Sequence, residues 1–236
     1  MGYGYYPFFY DPTYILVLIG IILSLAASAK VKSTFAKYSQ IRSMSGLTGA
    51  QAAERLLHAS GIYDVQIERV SGNLSDHYDP RRKVLRLSDS VFSQTSISAI
   101  GVAAHECGHA IQHQNSYSPL KLRSALVPVA NIGSSVAFPM IILGVIMGYS
   151  EVLINLGIIL FTAAVLFQLI TLPVEFNASK RAIARLGETG ILYGDELRQS
   201  KKVLDAAALT YVAAAAASIL QLLRLVLLFG GGRRRD

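Results

Sequence analysis

Residues 14–29, 126–149 and 152–174 are three long apolar runs without a single charge. Such runs leave few folds open. In hydrocarbon every backbone polar group must bond within the protein, so they become membrane-spanning helices. The second and third are separated only by Ser150 and Glu151 and read as a transmembrane hairpin. A fourth stretch, 206–229, is alanine-rich in its first half and carries Arg224. It reads as a further span or as a partly buried helix. Composition agrees, with 52% hydrophobic residues, 16% charged residues and a mean hydropathy of +0.42.

The first run follows the aromatic start GYGYYPFFY, whose rings suit the membrane–water interface. A cleaved signal peptide ending near Ala27-Ser28-Ala29 is the rival reading. No basic residue precedes the run, which favours a retained span. Orientation follows from Lys and Arg. Residues 30–123 hold 12 of them and 175–204 hold 6, against 4 in the C-terminal stretch. The two polar segments are therefore expected on the cytoplasmic side of a plasma membrane, with the N-terminus outside. Arg233-Arg234-Arg235 conflicts with this if the fourth stretch crosses completely. The net charge of +7 needs no nucleic acid, since basic loops beside anionic lipid account for it. The lone Cys107 rules out an intramolecular disulfide.

Within the polar segments, Thr48 can cap a helix that Gly61 closes. Residues 63–70 and 83–87 read as short strands around the loop DHYDPRR. Ser96 or Ser98 can cap a helix running through SISAIGVAAHECGHAIQHQ.

That last helix carries the chemistry. His105 and His109 lie one turn apart on one face, so both imidazoles can reach a single ion. Glu106 stands beside the ion rather than on it and can take a proton from an activated water. With five histidines and seven glutamates in the chain, chance supplies roughly 0.003 such motifs. The neighbours Ala103, Ala104, Gly108, Ala110 and Ile111 mark an apolar helix, where unpaired charge is costly. His113 lies about 12 Å along the helix from His105 and cannot join the same ion. It reads as a polar helix-end residue, and Cys107 as a small core residue.

A catalytic zinc normally keeps three protein ligands and one open position. Glu175 is one candidate. Pro173 can open a helix there, and Glu175, Ala178, Ser179 and Ala182 then share a face of small residues. Glu188, Asp195, Glu196 and Asp205 are rivals in more polar settings.

The segments GNLSDHYDPRRKVLRLS, VAAHECGHAIQHQNSYSPLKLRS and LPVEFNASKRA together resemble the YugP-like neutral zinc metallopeptidases of bacterial membranes. These are akin to the HtpX and CAAX prenyl protease types. The resemblance covers nearly the whole chain, including ALTYVAAAAAS. It implies His105, His109 and Glu175 as ligands of one Zn²⁺ per chain and Glu106 as base. Where the HtpX and prenyl protease types carry an aspartate four residues after the glutamate ligand, this chain has Ser179. Ser179, or an acid such as Asp205, would then orient a ligating histidine.

Tyr211, polar within an apolar helix, could donate to the oxyanion or simply sit in the core or at the interface. By analogy with other gluzincins, the strand at 83–87 could receive an extended substrate, with Asp76 and His77 flanking the cleft. Alternatively, DHYDP is a turn whose aspartates bond nearby backbone.

The expectation is a mostly α integral membrane protein with three to four transmembrane helices and a small α+β gluzincin-type peptidase domain. Its segments would be 1–29 (aromatic start and span), 30–123 (catalytic portion), 124–174 (hairpin), 175–204 (second catalytic helix) and 205–236 (apolar helix and basic tail). Substrates would be peptides or membrane proteins, and a membrane-protein partner or a second copy is compatible with the surface. Two rivals stand: a scaffold or adaptor with structural zinc, and a proton-relay transporter. The first leaves Glu106 without purpose. The second requires 97–114 to cross the bilayer, for which that segment is too polar.

Overall fold

The computed structural model describes residues 11–230. The aromatic start and Arg233-Arg234-Arg235 lie outside that range. Helix α1 (Tyr14–Ser39) is followed by α2 (Gly49–Ala59), β1 (Gln66–Val70), β2 (His77–Asp79) and β3 (Val84–Ser88). Then come α3 (Asp89–Phe92), α4 (Ile97–Gln114), α5 (Ser118–Ile146), α6 (Glu151–Glu188) and α7 (Gly194–Phe229). The protein is mostly helical. Helices α1, α5, α6 and α7 are each long and apolar enough to cross a membrane, so the fourth stretch belongs with the other three. The shortest, α1, has 26 residues, about 39 Å of rise against a hydrocarbon core of about 30 Å.

The described residues divide into two compact units. One, apolar, comprises residues 11–26, 125–169 and 211–230. Its only charged side chains among the described residues are Asp11, Glu151 and Arg224. Two of them pair: Arg224 Nη2 donates to Asp11 at 3.0 Å, and the guanidinium lies 4.3 Å from the centre of the Tyr14 ring. Burying that arginine would be costly without this company. The start of α1 and the end of α7 therefore meet. Small residues bring helices close, Gly20 facing Ala217 and Gly133 facing the Leu160 carbonyl. Ala137, Ile141, Phe161, Val165 and Leu225 form the interior. Ile15, Ile22 and Leu25 remain more than half exposed, a surface suited to lipid.

The other unit comprises residues 27–124 and 170–210. Thr48 begins α2 in a reciprocal capping arrangement with Gln51, and Gly61 closes it at φ +72°. The sheet runs β1-β3-β2, with β1 parallel and β2 antiparallel to β3. Here the sequence reading needs correcting. The strand at 83–87 is the central one and has no free edge to offer a substrate, and the loop before it supplies the edge strand β2. Buried side chains of α2, β3, α4, α6 and α7 form one core, including Leu56, Leu85, Ile100, Ala103, Leu186 and Leu204. Cys107 is part of it, its thiol directed to the Ala53 carbonyl at 3.5 Å and its pKa pushed up by burial.

Pro173 does not open a helix. It lies inside α6, which runs for 38 residues through both the apolar run and the polar segment after it. The proline removes one bond, that to the carbonyl of Leu169, and membrane helices tolerate this loss. At Gly108 of α4, an added Cβ would lie 2.4 Å from the carbonyl oxygen of Ala178 in α6. These two backbones touch with no side chain between them. Helix propensity alone favours Gly108→Ala by about 1 kcal/mol. Forcing a methyl against a backbone carbonyl should instead cost about 1–3 kcal/mol. The melting temperature of the purified Gly108→Ala protein is expected to fall; a rise would contradict the contact.

Candidate metal centre

The Gly108–Ala178 contact sets two faces together. Ser96 caps α4 by accepting from the Ala99 N–H, and one face of that helix then carries His105 and His109. Their rings stand nearly perpendicular with centroids 4.8 Å apart. From α6, Glu175 enters between them, 2% exposed. His105 Nε2 lies 3.2 Å and His109 Nε2 3.6 Å from the same oxygen, Glu175 Oε2.

These spacings suit a metal. Ligands about 2.0–2.1 Å from a tetrahedral zinc lie roughly 3.4 Å from one another. One donor atom from each of the three residues falls within a 4.8 Å cluster. Two imidazoles and a carboxylate are also the donor types zinc takes. Electrostatics agree. Burial alone would push the His109 pKa down, yet the hydrogen bond with Glu175 and the charges of Glu106 and Glu175 outweigh it and raise it.

The opposite ring atoms are occupied. Ser179 Oγ lies 3.0 Å from His105 Nδ1, and Gln112 Oε1 lies 3.1 Å from His109 Nδ1. Both rings thus present Nε2 to the cluster. Gln112 is fully buried, its amide donating to the Val174 carbonyl at 2.8 Å and to Asn177 Oδ1 at 3.0 Å. Asn177 Oδ1 also accepts from Arg181 Nε at 2.7 Å. The remaining Glu175 oxygen, Oε1, meets Arg123 Nη1 at 3.2 Å. Glu106 is 8% exposed on α4.

The other expected site residues fall elsewhere. Asp205 pairs with Lys201 at 2.6 Å, both side chains 58% exposed, and it is Ser179 that meets His105. Asp76 uses both oxygens on Ser88, accepting from its N–H at 2.7 Å and its hydroxyl at 2.9 Å. Asp76 thus ties the loop to the end of β3, while Asp79 makes the local turn bonds, its Oδ1 accepting from the Arg81 and Arg82 N–H groups at 2.9 and 3.2 Å. His77 is exposed on β2, with Nδ1 2.9 Å from the Ser75 carbonyl and Nε2 3.3 Å from Arg86. Tyr211 belongs to the apolar unit and is 38% exposed. His113 ends α4 bonded through Nδ1 to the Tyr78 hydroxyl at 2.9 Å. Burial, with Asp64 and Asp79 nearby, pushes the Tyr78 pKa up to about 12.

Gln112 and Arg123 escaped the sequence reading. Gln112 had a legible signal, as a polar residue three positions after His109 on a buried helix. Arg123 had none, because only the packing of α5 brings it to Glu175.

No solved structure matches the chain. A Bacillus subtilis (strain 168) protein named "Putative membrane protease YugP" is 54% identical over 198 residues, covering 84% of this chain and 88% of its own. The family model described as "Putative neutral zinc metallopeptidase" matches residues 13–230. That model matches nearly the whole length of a chain whose two histidines and one glutamate converge as a metal would need, and the chain belongs to the family so described.

Proposed function

We propose that the chain is an integral membrane endopeptidase that holds one zinc on His105, His109 and Glu175 and hydrolyses peptide bonds with Glu106 as general base. The observation that supports this most is the approach of two imidazole Nε2 atoms to one buried carboxylate oxygen. Held by His105, His109 and Glu175, a zinc ion would supply Lewis acidity toward the scissile carbonyl and a water. Glu106 takes the proton from that water and delivers it to the leaving nitrogen. Ser179 and Gln112 hold the two imidazoles in the tautomer that leaves Nε2 free.

The outer edge of β2, which carries His77, offers unpaired backbone along which an extended peptide can add as a strand. The polar unit is proposed to face the cytoplasm from the plasma membrane, since it carries most of the Lys and Arg. Membrane proteins, or peptides released beside the bilayer, are the proposed substrates.

Protein purified in detergent without chelators is expected to contain one zinc per chain and to cleave casein. Stripping the metal should abolish cleavage, and added zinc should restore it. Absence of zinc from such a preparation would overturn this reading. One zinc with no cleavage would favour the scaffold.

A further inference from the structure

We propose that Arg123 is a positioning residue that confines Glu175 to one-oxygen metal binding. The inference rests on the zinc reading above. The two oxygens of Glu175 have different company: Oε2 faces the Nε2 atoms of His105 and His109, while Oε1 faces Arg123 Nη1 at 3.2 Å. Glu175 is 2% exposed, so solvent is not there to satisfy the second oxygen. A buried carboxylate oxygen without a partner is costly. In a metal site it has two remedies, a cation or the metal itself. Turning to the metal would make Glu175 bidentate and crowd the position that a catalytic site keeps open for water.

Arg123 removes that option. It comes from a third element, early in α5, while α4 gives the histidines and α6 the glutamate. The turn between α4 and α5 fixes its approach, with Ser116 at φ +51° and the Tyr117 N–H bonded to the Gln112 carbonyl. Each ligand then has one outer partner: Ser179 for His105, Gln112 for His109 and Arg123 for Glu175. The arginine partner also sets how many bonds its ligand can make.

The test compares wild type, Arg123→Met and Arg123→Lys by zinc affinity in chelator competition and by the visible absorption of the cobalt(II)-substituted proteins. In Arg123→Met, zinc binding is expected to weaken about tenfold to a hundredfold. Its cobalt bands should also lose intensity, as the ion passes from four to five ligands. Arg123→Lys keeps a cation and should recover both readings at least in part. Wild-type affinity and spectrum in Arg123→Met would overturn the inference, as would equal losses in Met and Lys variants, which mark general damage. Failure of wild type to bind zinc is a different result, since it removes the metal reading itself.

Discussion

Replacing Glu106 with glutamine is expected to abolish peptide cleavage and leave zinc in place. The two side chains have nearly the same shape, and the position is 8% exposed within α4, so packing should be unchanged. What disappears is the capacity to accept a proton. General-base catalysis by a positioned side chain contributes about 10²–10⁴-fold. The value of kcat/KM for a peptide substrate should fall by that order, with KM little altered and metal content still one per chain. Activity within a few-fold of wild type would remove Glu106 from the chemistry. Loss of zinc along with activity would place it among the metal's supports.

Glu175→Ala should act in the opposite way, on the metal first. It removes a charged donor, not an outer partner. Zinc affinity should therefore fall by more than the roughly tenfold to hundredfold typical of losing an outer-shell contact. Thermal unfolding gives a second readout. A ligand that binds only the folded protein at a thousand times its Kd stabilises it by about 4 kcal/mol. Saturating zinc should raise the melting temperature of wild type clearly and that of Glu175→Ala hardly at all. The metal-free variant should unfold near the metal-free wild type, because Arg123, with a side chain 30% exposed, can turn to water once its partner is gone. Equal zinc protection in both proteins would move the third ligand elsewhere.

The parts of this molecule that were legible in sequence are those governed by local periodicity. His105 and His109 share a face because they lie four apart on one helix, and an apolar run longer than about 20 residues has few alternatives to a span. Glu175 was harder, since 70 residues separate it from His105. The clue was indirect, a row of small residues, and the Gly108–Ala178 contact shows what that row permits. Pro173 misled because proline usually opens a helix; the same residue inside a membrane helix forfeits one hydrogen bond and no more. The strand order could not be read at all. Two short strands and a loop give no hint that the loop pairs and so encloses the strand at 83–87 on both sides. Arg123 and Asp76 were opaque for a similar reason, their partners being fixed by tertiary packing.

Helix α6 is uninterrupted from Glu151 to Glu188, and so it works as a ruler. Glu175 lies 24 residues beyond Glu151, about 36 Å at 1.5 Å per residue. A hydrocarbon layer is about 30 Å thick. If α6 enters at one face of the bilayer, its carboxylate emerges about one helical turn past the other. Tilting by the usual 20° or so shortens this to about 34 Å, still clear of the lipid tails. On the proposed chemistry, the length of this one helix would set the height at which a bond is cut. Peptide bonds a few residues outside a membrane would then be within reach, and those in mid-bilayer would not, unless their helix first slid or unwound outward.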